Sequence, residues 1–549
     1  MRIPTIAVLT GPQPVDGDGL LRTDLAAIGA TVVDADGPAS AARAVASASA
    51  AGRVALVDRR LVAHRHALRL AIDDPRWQAA HSIGVLTVSG PARDQLATQL
   101  RTLPDLTAHR VEGVSPAARL TAPRPLVPDA LAVQLAESMA IHEVALPPGL
   151  VATLVDAPLA ARKEAYERVA NTDGEAIRLR RAVKSDEDLF TRLFVSSYSR
   201  YLARWGAHRA VTPTVIRMLS VLMAAAAAST AATGTRPGYV TAAVAMYVSF
   251  MLDCTVGQLA RYSLNFSSVG SWLDATLDRA KEYAVYAGLA FGAVHAGDDV
   301  WRLAALAMAL QTVRHHLGFS YREGNHRRGE QPAGQESAKT IGYWFGYVAR
   351  EVVVQPAGGR WVLLALLTAL TTPRATFVTL LLWGLVAAAY TTTGQVRRSL
   401  ASAEPRSSQA IDTLYAMSDI LARPTAEISR LGSRLGWLVP AVYHAFEYGI
   451  AIAFAAEVHG ATPLAFLYLT AVMYHHYDIV YRVRAAAPVP RWLTVAGAGG
   501  FEGRVVIIVL ASFLPATPAH HVLTYTFAAL AGYLWTLFLA ESLFAQRSR

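Results

Sequence analysis

Ten apolar segments between residues 212 and 541 constrain this chain more than any other feature. Six lie near 212–233, 238–256, 283–297, 301–320, 360–372 and 375–393. Four more follow near 437–456, 462–480, 503–516 and 520–541. Several fall short of the roughly 20 residues that cross a hydrocarbon core as an α-helix, but flanking residues extend them to that length. Backbone groups in lipid must satisfy one another, so such segments are expected to be helices packed together. Composition agrees, because 53% of the 549 residues are hydrophobic and only 17% are charged. That is too apolar for an ordinary soluble enzyme and too long for one domain. The expected fold is mainly α, a polytopic helical membrane protein.

Charge then sets orientation. The net charge is +10, and basic runs fall at 261–281, 314–328 and 397–398. An intervening turn carries Asp298 and Asp299 instead. The positive-inside rule places the basic loops, both termini and the residues before the first span in the cytoplasm, as expected of a multi-pass plasma-membrane protein. Nucleic-acid binding is the other reading of a basic chain, and the flanking positions of the charges argue against it. Cys254 stands alone and excludes an intrachain disulfide. The opening MRIPTIAVLTG lacks a basic region followed by a long apolar core, so no secretory signal is expected there.

The first 185 residues differ in character. Runs such as 5–10 (TIAVLT), 53–58 (RVALVD) and 83–88 (IGVLTV) alternate with Ala-rich helical stretches. This predicts a soluble α/β domain with a largely parallel sheet. Residues 186–210 mix aromatic and basic side chains, as an interfacial amphipathic helix does. Residues 396–436 are polar and form a linker or helical hairpin. The expected units are therefore 1–185, a membrane domain over 186–395, the linker over 396–436, and a second membrane domain over 437–549.

Residues 253–278 (DCTVGQLARYSLNFSSVGSWLDATLD) carry the densest chemistry. Carboxylates at the edge of an apolar segment are costly to desolvate and mark a functional site. Asp253, Gly257 and Ala260 follow i, i+4, i+7, one helix face with an acid and two small residues. The small residues allow a nucleotide to approach the backbone. Asp274 and Asp278 form a second i, i+4 pair, which Glu282 continues. Glu282 is either a further ligand or a partner of Arg279 or Lys281. Arg261 is either a phosphate contact or a snorkelling residue at a helix end.

This stretch resembles the signature of the CDP-alcohol phosphatidyltransferase family, D-x2-D-G-x2-A-R-x8-G-x3-D-x3-D. Asp253, Gly257, Ala260, Arg261, Gly270, Asp274 and Asp278 fill seven of its eight fixed positions. Val256 stands where the second aspartate belongs. Thr212 and Pro213 resemble the family's Thr-Pro-Asn entry, with Thr214 in third place.

The resemblance implies a six-helix phosphotransferase core, with about four more spans following it. It implies Mg²⁺ or Mn²⁺ held by Asp253, Asp274 and Asp278, with Asp278 also as general base. Substrate would lie against Gly257, Ala260, Arg261 and Gly270. CDP-diacylglycerol or a similar CDP-linked donor would pass its phospho-group to a polar alcohol, releasing CMP for phospholipid biosynthesis. A homodimer among membrane lipids is also implied. Val256 opens an alternative, a pseudo-transferase that binds lipid or nucleotide without turnover. A transporter is a third reading, unsupported by any inverted repeat or broken-helix pair.

Some relatives carry a nucleotidyltransferase domain before the core. Here Leu9-Thr10-Gly11-Pro12-Gln13-Pro14 is not the Gly-rich basic loop that opens such domains, so a degenerate or regulatory one is expected. Asp58 after a strand is a weak metal-ligand signal. Arg314, His315 and Arg322, with His316, Asn325, His326, Arg327 and Arg328, form a basic patch after the fourth span. The patch is either an acceptor-phosphate site or ordinary positive-inside residues. The C-terminal spans hold His444, Glu447, His475, His476, Asp478, Arg482, Glu502 and Arg504. The run 474–478 (YHHYD) holds a metal or a head group, or else supplies interhelical hydrogen bonds.

Overall fold

The computed structural model describes residues 4–14, 16–49, 52–102, 128–155, 159–184, 187–266, 268–325, 353–354, 357–401, 407–421, 431–485, 487–514 and 522–547. It is mainly helical, with a small α/β sheet unit at the N-terminus. The chain divides into two compact units. One holds residues 1–185, 200–213 and 257–266; the other holds 186–199, 214–256 and 267–549.

In the first unit the strands are β1 (Thr5–Thr10), β2 (Ala30–Asp34), β3 (Arg53–Asp58), β4 (Leu61–Ala63), β5 (Ala79–Ser82), β6 (Val85–Ser89), β7 (His142–Glu143) and β8 (Ala152–Leu154). Six of them form one sheet in the order β2-β1-β3-β6-β5-β7, and β4 pairs with β8. β1 and β3 are apolar at successive positions, 6–9 and 54–57, because both faces of the sheet are covered. Val8, Val54 and Leu56 point to one layer, with Val45 and Leu96; Leu9, Ala55 and Val57 point to the other, with Leu25 and Leu68. The helices supplying these layers include α1 (Gly19–Ala27), α2 (Pro38–Ser47), α3 (Arg65–Ile72) and α4 (Pro91–Thr102).

The sheet is mixed rather than largely parallel. β1 runs parallel to β2 and β3, but β6 runs antiparallel to both β3 and β5. The run expected as a strand over 83–88 begins two residues later, because Ile83 and Gly84 form a hairpin turn. Gly84 has φ +70°, the left-handed geometry such turns need. Helices α5 (Pro128–Ala136), α6 (Leu159–Ala170) and α7 (Gly174–Ala182) complete this unit's regular structure before residue 185.

A π-helical turn at Thr191–Val195 leads into α8 (Ser196–His208). Leu193, Phe194, Tyr201 and Trp205 are exposed along it, the apolar face an interfacial helix presents. The helices that follow are α9 (Pro213–Ala231), α10 (Arg236–Ser263), α11 (Ser268–His295), α12 (Trp301–Asn325), α13 (Ala357–Leu370), α14 (Pro373–Ala401) and α15 (Ser408–Met417). After them come α16 (Val439–Ala456), α17 (Thr462–Arg484), α18 (Arg491–Ala496), α19 (Gly500–Phe513) and α20 (Val522–Arg547).

Among the described residues six helices are long and apolar enough to cross a membrane: Pro213–Ala231, Arg236–Ser263, Pro373–Ala401, Gly436–Ala456, Arg491–Phe513 and Val522–Phe544. Among the described residues each of the ten apolar segments is largely helical, but α11, α12, α13 and α17 are more polar or shorter. α17 is buried from Ala465 to Arg482 with few breaks, so its His and Asp side chains face neighbouring helices. Large apolar side chains such as Leu222, Leu382, Phe513 and Phe544 lie exposed on the spanning helices, where lipid would cover them.

Small residues set the helix spacing. A Cβ at Gly288 would lie 2.3 Å from the Ala228 carbonyl, and one at Gly292 would lie 2.1 Å from that of Ala231. This Gly-x3-Gly row on α11 lets α9 approach backbone to backbone, as membrane helices do. The interfacial piece expected over 341–356 lies outside the described residues apart from 353–354. So do parts of the linker, at 402–406 and 422–430.

Candidate active site on α9, α10 and α11

Asp253 on α10 accepts a hydrogen bond from Ser220 Oγ on α9 at 2.6 Å. Lys281 Nζ on α11 donates to its other oxygen at 2.5 Å and to Ser220 Oγ at 3.2 Å. The same ammonium lies 3.1 Å from Asp278 Oδ1. Ser249 Oγ donates to the Ser220 carbonyl at 2.9 Å, which fixes α9 against α10. Three helices thus meet on one cation between two carboxylates.

The exposures are graded. The Lys281 side chain is 3% exposed, that of Asp253 20% and that of Asp278 42%. Lys281 seals the inner end, and Asp278 is the carboxylate that solvent or a substrate reaches. Sequence reasoning read Lys281 only as a helix partner of Glu282. Its i, i+3 spacing from Asp278 was a visible signal, but Asp253 lies 28 residues away on another helix.

Val256 is 2% exposed and supplies no oxygen to this site. Gly257, Ala260 and Arg261 continue α10. Arg261 folds back over Gly257, where a Cβ would lie 3.3 Å from Nη1. Its Nε donates to the Ala182 carbonyl at 2.6 Å. Gly270 and Asp274 lie in the first turns of α11, whose side chains through residue 275 are outside the described residues.

Glu282 does not face Asp253. It is 1% exposed and takes two hydrogen bonds from Arg360, at 3.0 and 3.1 Å. Arg279 donates to it at 3.2 Å and Tyr286 at 3.0 Å. Glu282 is therefore a buried structural anion joining α11 to α13. Arg279 was an expected partner; Arg360 lies 78 residues on and was not foreseen.

The basic patch on α12 has separate partners. Arg314 donates to the Val354 carbonyl at 2.8 Å. His315 Nδ1 pairs with Tyr477 OH at 2.7 Å. Arg322 is exposed, with its guanidinium 5.1 Å from the Phe319 ring centre. His326, Arg327 and Arg328 lie outside the described residues. A cavity of about 240 Å³ opens on another side of α11, lined by Ala280, Ala284, Ala287, Phe466, Leu467 and Trp535 among others.

In the α/β unit Asp58 is fully buried and accepts from the Arg60 backbone N at 2.9 Å and from Nη2 at 2.7 Å. Gly11 (φ +86°) turns the chain past it, where a Cβ would lie 3.3 Å from Asp58 Oδ1. Arg22 pairs with Asp18 and Asp34, and its hydrogen bond, with the nearby charge of Arg59, holds the Asp34 carboxyl below its ordinary range. The acids and bases at the ends of β1, β2 and β3 are thus committed to one another.

Residues 362–548 match a family of unknown function, DUF5941. The match covers about a third of the chain and runs from α13 to α20, across the boundaries expected at 395 and 436. Asp253, Asp278 and Lys281 lie outside it. No curated protein matches the chain significantly.

Proposed function

We propose that the chain is a membrane phosphotransferase. It moves a phosphatidyl or related phospho-alcohol group from a CDP-linked donor to an alcohol acceptor and releases CMP. The observation that carries this reading is the meeting of Asp253 and Asp278 on one cation, at positions where the signature has its acids. On this reading 186–395 is a six-helix transferase core and four spans follow it. The α/β unit, the site and both termini face the cytoplasm, the chain lies in the plasma membrane, and it works as a homodimer. The committed ion pairs around Asp58 favour a regulatory or degenerate nucleotidyltransferase-like role for the α/β unit.

Among the described residues no group of three His, Cys, Asp or Glu side chains is arranged to hold a metal, so a divalent cation here rests on two carboxylates and on the resemblance. Two carboxylates already converge on a positive charge, with Lys281 standing in for it. Asp253 and Asp278 would hold Mg²⁺ or Mn²⁺, and the resemblance adds Asp274. When bound, the ion neutralises charge on the donor's pyrophosphate. Asp278, the more exposed acid, accepts the proton of the acceptor hydroxyl. The acceptor oxygen then bonds to the phosphorus on the lipid side, and the bond to CMP breaks. Lys281 holds both carboxylates in place through its ion pairs with them. The apolar cavity beside α11 suits an acyl chain.

One observation favours a second reading. Val256 is buried and apolar where an acid is missing, and Lys281 lies between Asp253 and Asp278. A chain built so binds a nucleotide or lipid without turning it over. Comparing CMP release from CDP-diacylglycerol by the chain as it stands and by Val256→Asp separates the two. Turnover by the unaltered chain supports the transferase. Turnover by Val256→Asp alone supports the pseudo-transferase.

A further inference from the structure

A buried polar cluster lies in the helices that match the family of unknown function, and it shares no side chain with the aspartates of α10 and α11. Its acids are Asp419, just after α15, and Glu447 on α16, at 2% and 0% exposure. Arg504 on α19 serves both. Its Nη2 donates to Asp419 Oδ2 at 2.8 Å, and its Nε donates to Glu447 Oε1 at 2.6 Å. Among the described residues no other Lys or Arg comes within ion-pair distance of either carboxylate. Two buried carboxylates thus share one guanidinium, and the cluster is left with one negative charge in excess. An uncompensated charge in a protein interior is strongly disfavoured.

The surrounding charges do not supply the balance. Arg482 on α17 is divided between Asp478 and Glu541, at 2.6 and 2.5 Å. Glu502 on α19 accepts from Leu421 N at 3.2 Å and adds a further acid. Arg491 is exposed and donates to Tyr415 OH at 3.1 Å.

Imidazoles close the cluster. His475 and His476 on α17, His444 on α16 and His316 on α12 are each 0–1% exposed. His475 Nε2 lies 3.5 Å from Asp419 Oδ1, an oxygen that accepts no hydrogen bond. His476 Nε2 lies 3.6 Å from Asp419 Oδ2 and 3.9 Å from Glu447 Oε2. Its Nδ1 has Tyr448 OH at 2.6 Å. A charged imidazole donates from both nitrogens, and each nitrogen of His476 faces an oxygen. Toward α20, His475 stacks on Phe538 at 4.1 Å, so that side is apolar. His444 stacks on His476 at 3.7 Å, and His316 meets His444 edge-on at 4.7 Å, so these rings do not converge on a metal ion. Beyond His316, His315 is taken by Tyr477 OH.

We propose that this cluster is a proton-binding site, in which one proton from water is held between His475 and His476 and neutralises the group of Asp419, Glu447 and Arg504. The proton forms an N–H bond on an imidazole, and no other bond changes. A cavity of about 360 Å³, which Asp419 lines, is its route to solvent. Ionisable side chains inside membrane helices mark such proton sites. The proposal does not depend on the transferase reading. It gives the helices of the family of unknown function a proton-linked role. Above about pH 6.5 the folded chain holds a proton that the unfolded chain releases. The packing of α16, α17 and α19 around Asp419 is therefore at full strength below that pH and weakens as pH rises through the value of the folded site.

The test is nitrogen NMR of the full chain, labelled with ¹⁵N-histidine, in phosphatidylcholine nanodiscs at pH 8.5. An ordinary imidazole is then only about 1% charged. The parent should show an imidazolium signal, and Asp419→Asn should remove it. Asparagine tolerates the left-handed backbone of this residue, φ +48°, and its carbonyl can accept from Arg504, so the substitution takes away the charge and keeps the fold. His475→Gln combined with His476→Gln should remove the signal as well. His81 lies 2.9 Å from Asp129 in the α/β unit, and His81→Gln should leave the signal in place. Absence of an imidazolium from the parent at pH 8.5 overturns the proposal, whether or not a variant folds. So does a signal that survives in Asp419→Asn, or one that disappears in His81→Gln.

Discussion

Lys281→Met removes one positive charge from the meeting point of α9, α10 and α11 and changes little else. The methionine keeps most of the volume and fits an apolar surround. Breaking a buried charge pair by deleting one partner costs about 3–5 kcal/mol, because the other charge stays buried alone. Asp278 is 42% exposed, so water screens its share of the loss. Asp253 keeps its hydrogen bond from Ser220. The net cost should therefore fall at or below the lower end of that range, about 2–3 kcal/mol. The two carboxylates would then face each other without the ammonium, and Mg²⁺ should stabilise the variant more than it stabilises the parent. At a concentration 100 times its dissociation constant a bound ion returns about 2.7 kcal/mol. The assay is thermal unfolding of the purified chain in nanodiscs, followed by tryptophan fluorescence with and without Mg²⁺. Lys281→Met should unfold earlier, and Mg²⁺ should restore most of the difference. If the variant is as stable as the parent and indifferent to Mg²⁺, Lys281 does not neutralise the pair and the argument fails.

Three more outcomes are expected. Gly292→Val drives a side chain into the Ala231 carbonyl and should cost about 3 kcal/mol or more, whereas Gly532→Ala on α20, where a Cβ meets nothing, should be neutral or stabilising; unfolding of both variants checks this. Glu282→Gln leaves Arg360 and Arg279 without their anion and should cost about 3–5 kcal/mol, and adding Arg360→Met should recover part of it in a double-mutant cycle. Burial first, and then Arg178, Arg181 and Arg69, push the His66 imidazole down to about 3 from 6.5. The unfolded chain therefore binds the proton in that window and the folded chain does not, so stability is full above pH 6.5 and falls as pH drops. The loss should reach about 2 kcal/mol by pH 5, and His66→Leu should flatten that part of the stability–pH curve.

The apolar segments were legible because a helix in lipid needs a long run of apolar residues and little else. The α/β character of the first unit was legible from Thr5–Thr10 and Arg53–Asp58, strands apolar on both faces. The antiparallel β6 was missed, although Ile83 and Gly84 between two short β-type runs carry the hairpin signal. At the candidate site, spacing placed Asp253 and Asp278 on helix faces but could not show what lies between them. Lys281 reaches Asp253 through tertiary packing, as Arg360 reaches Glu282. Contacts of that kind leave no period in the sequence. The YHHYD run stayed ambiguous because its meaning depends on Asp419 and Arg504, far away in the chain.

The most direct measurement is CMP release from CDP-diacylglycerol by the purified chain with Mg²⁺ or Mn²⁺ and a panel of alcohol acceptors, set beside Asp253→Asn and Asp278→Ala. The account predicts release that depends on an acceptor and on the metal ion, and that both substitutions abolish. Release that survives Asp278→Ala, or no release with any acceptor, would contradict it.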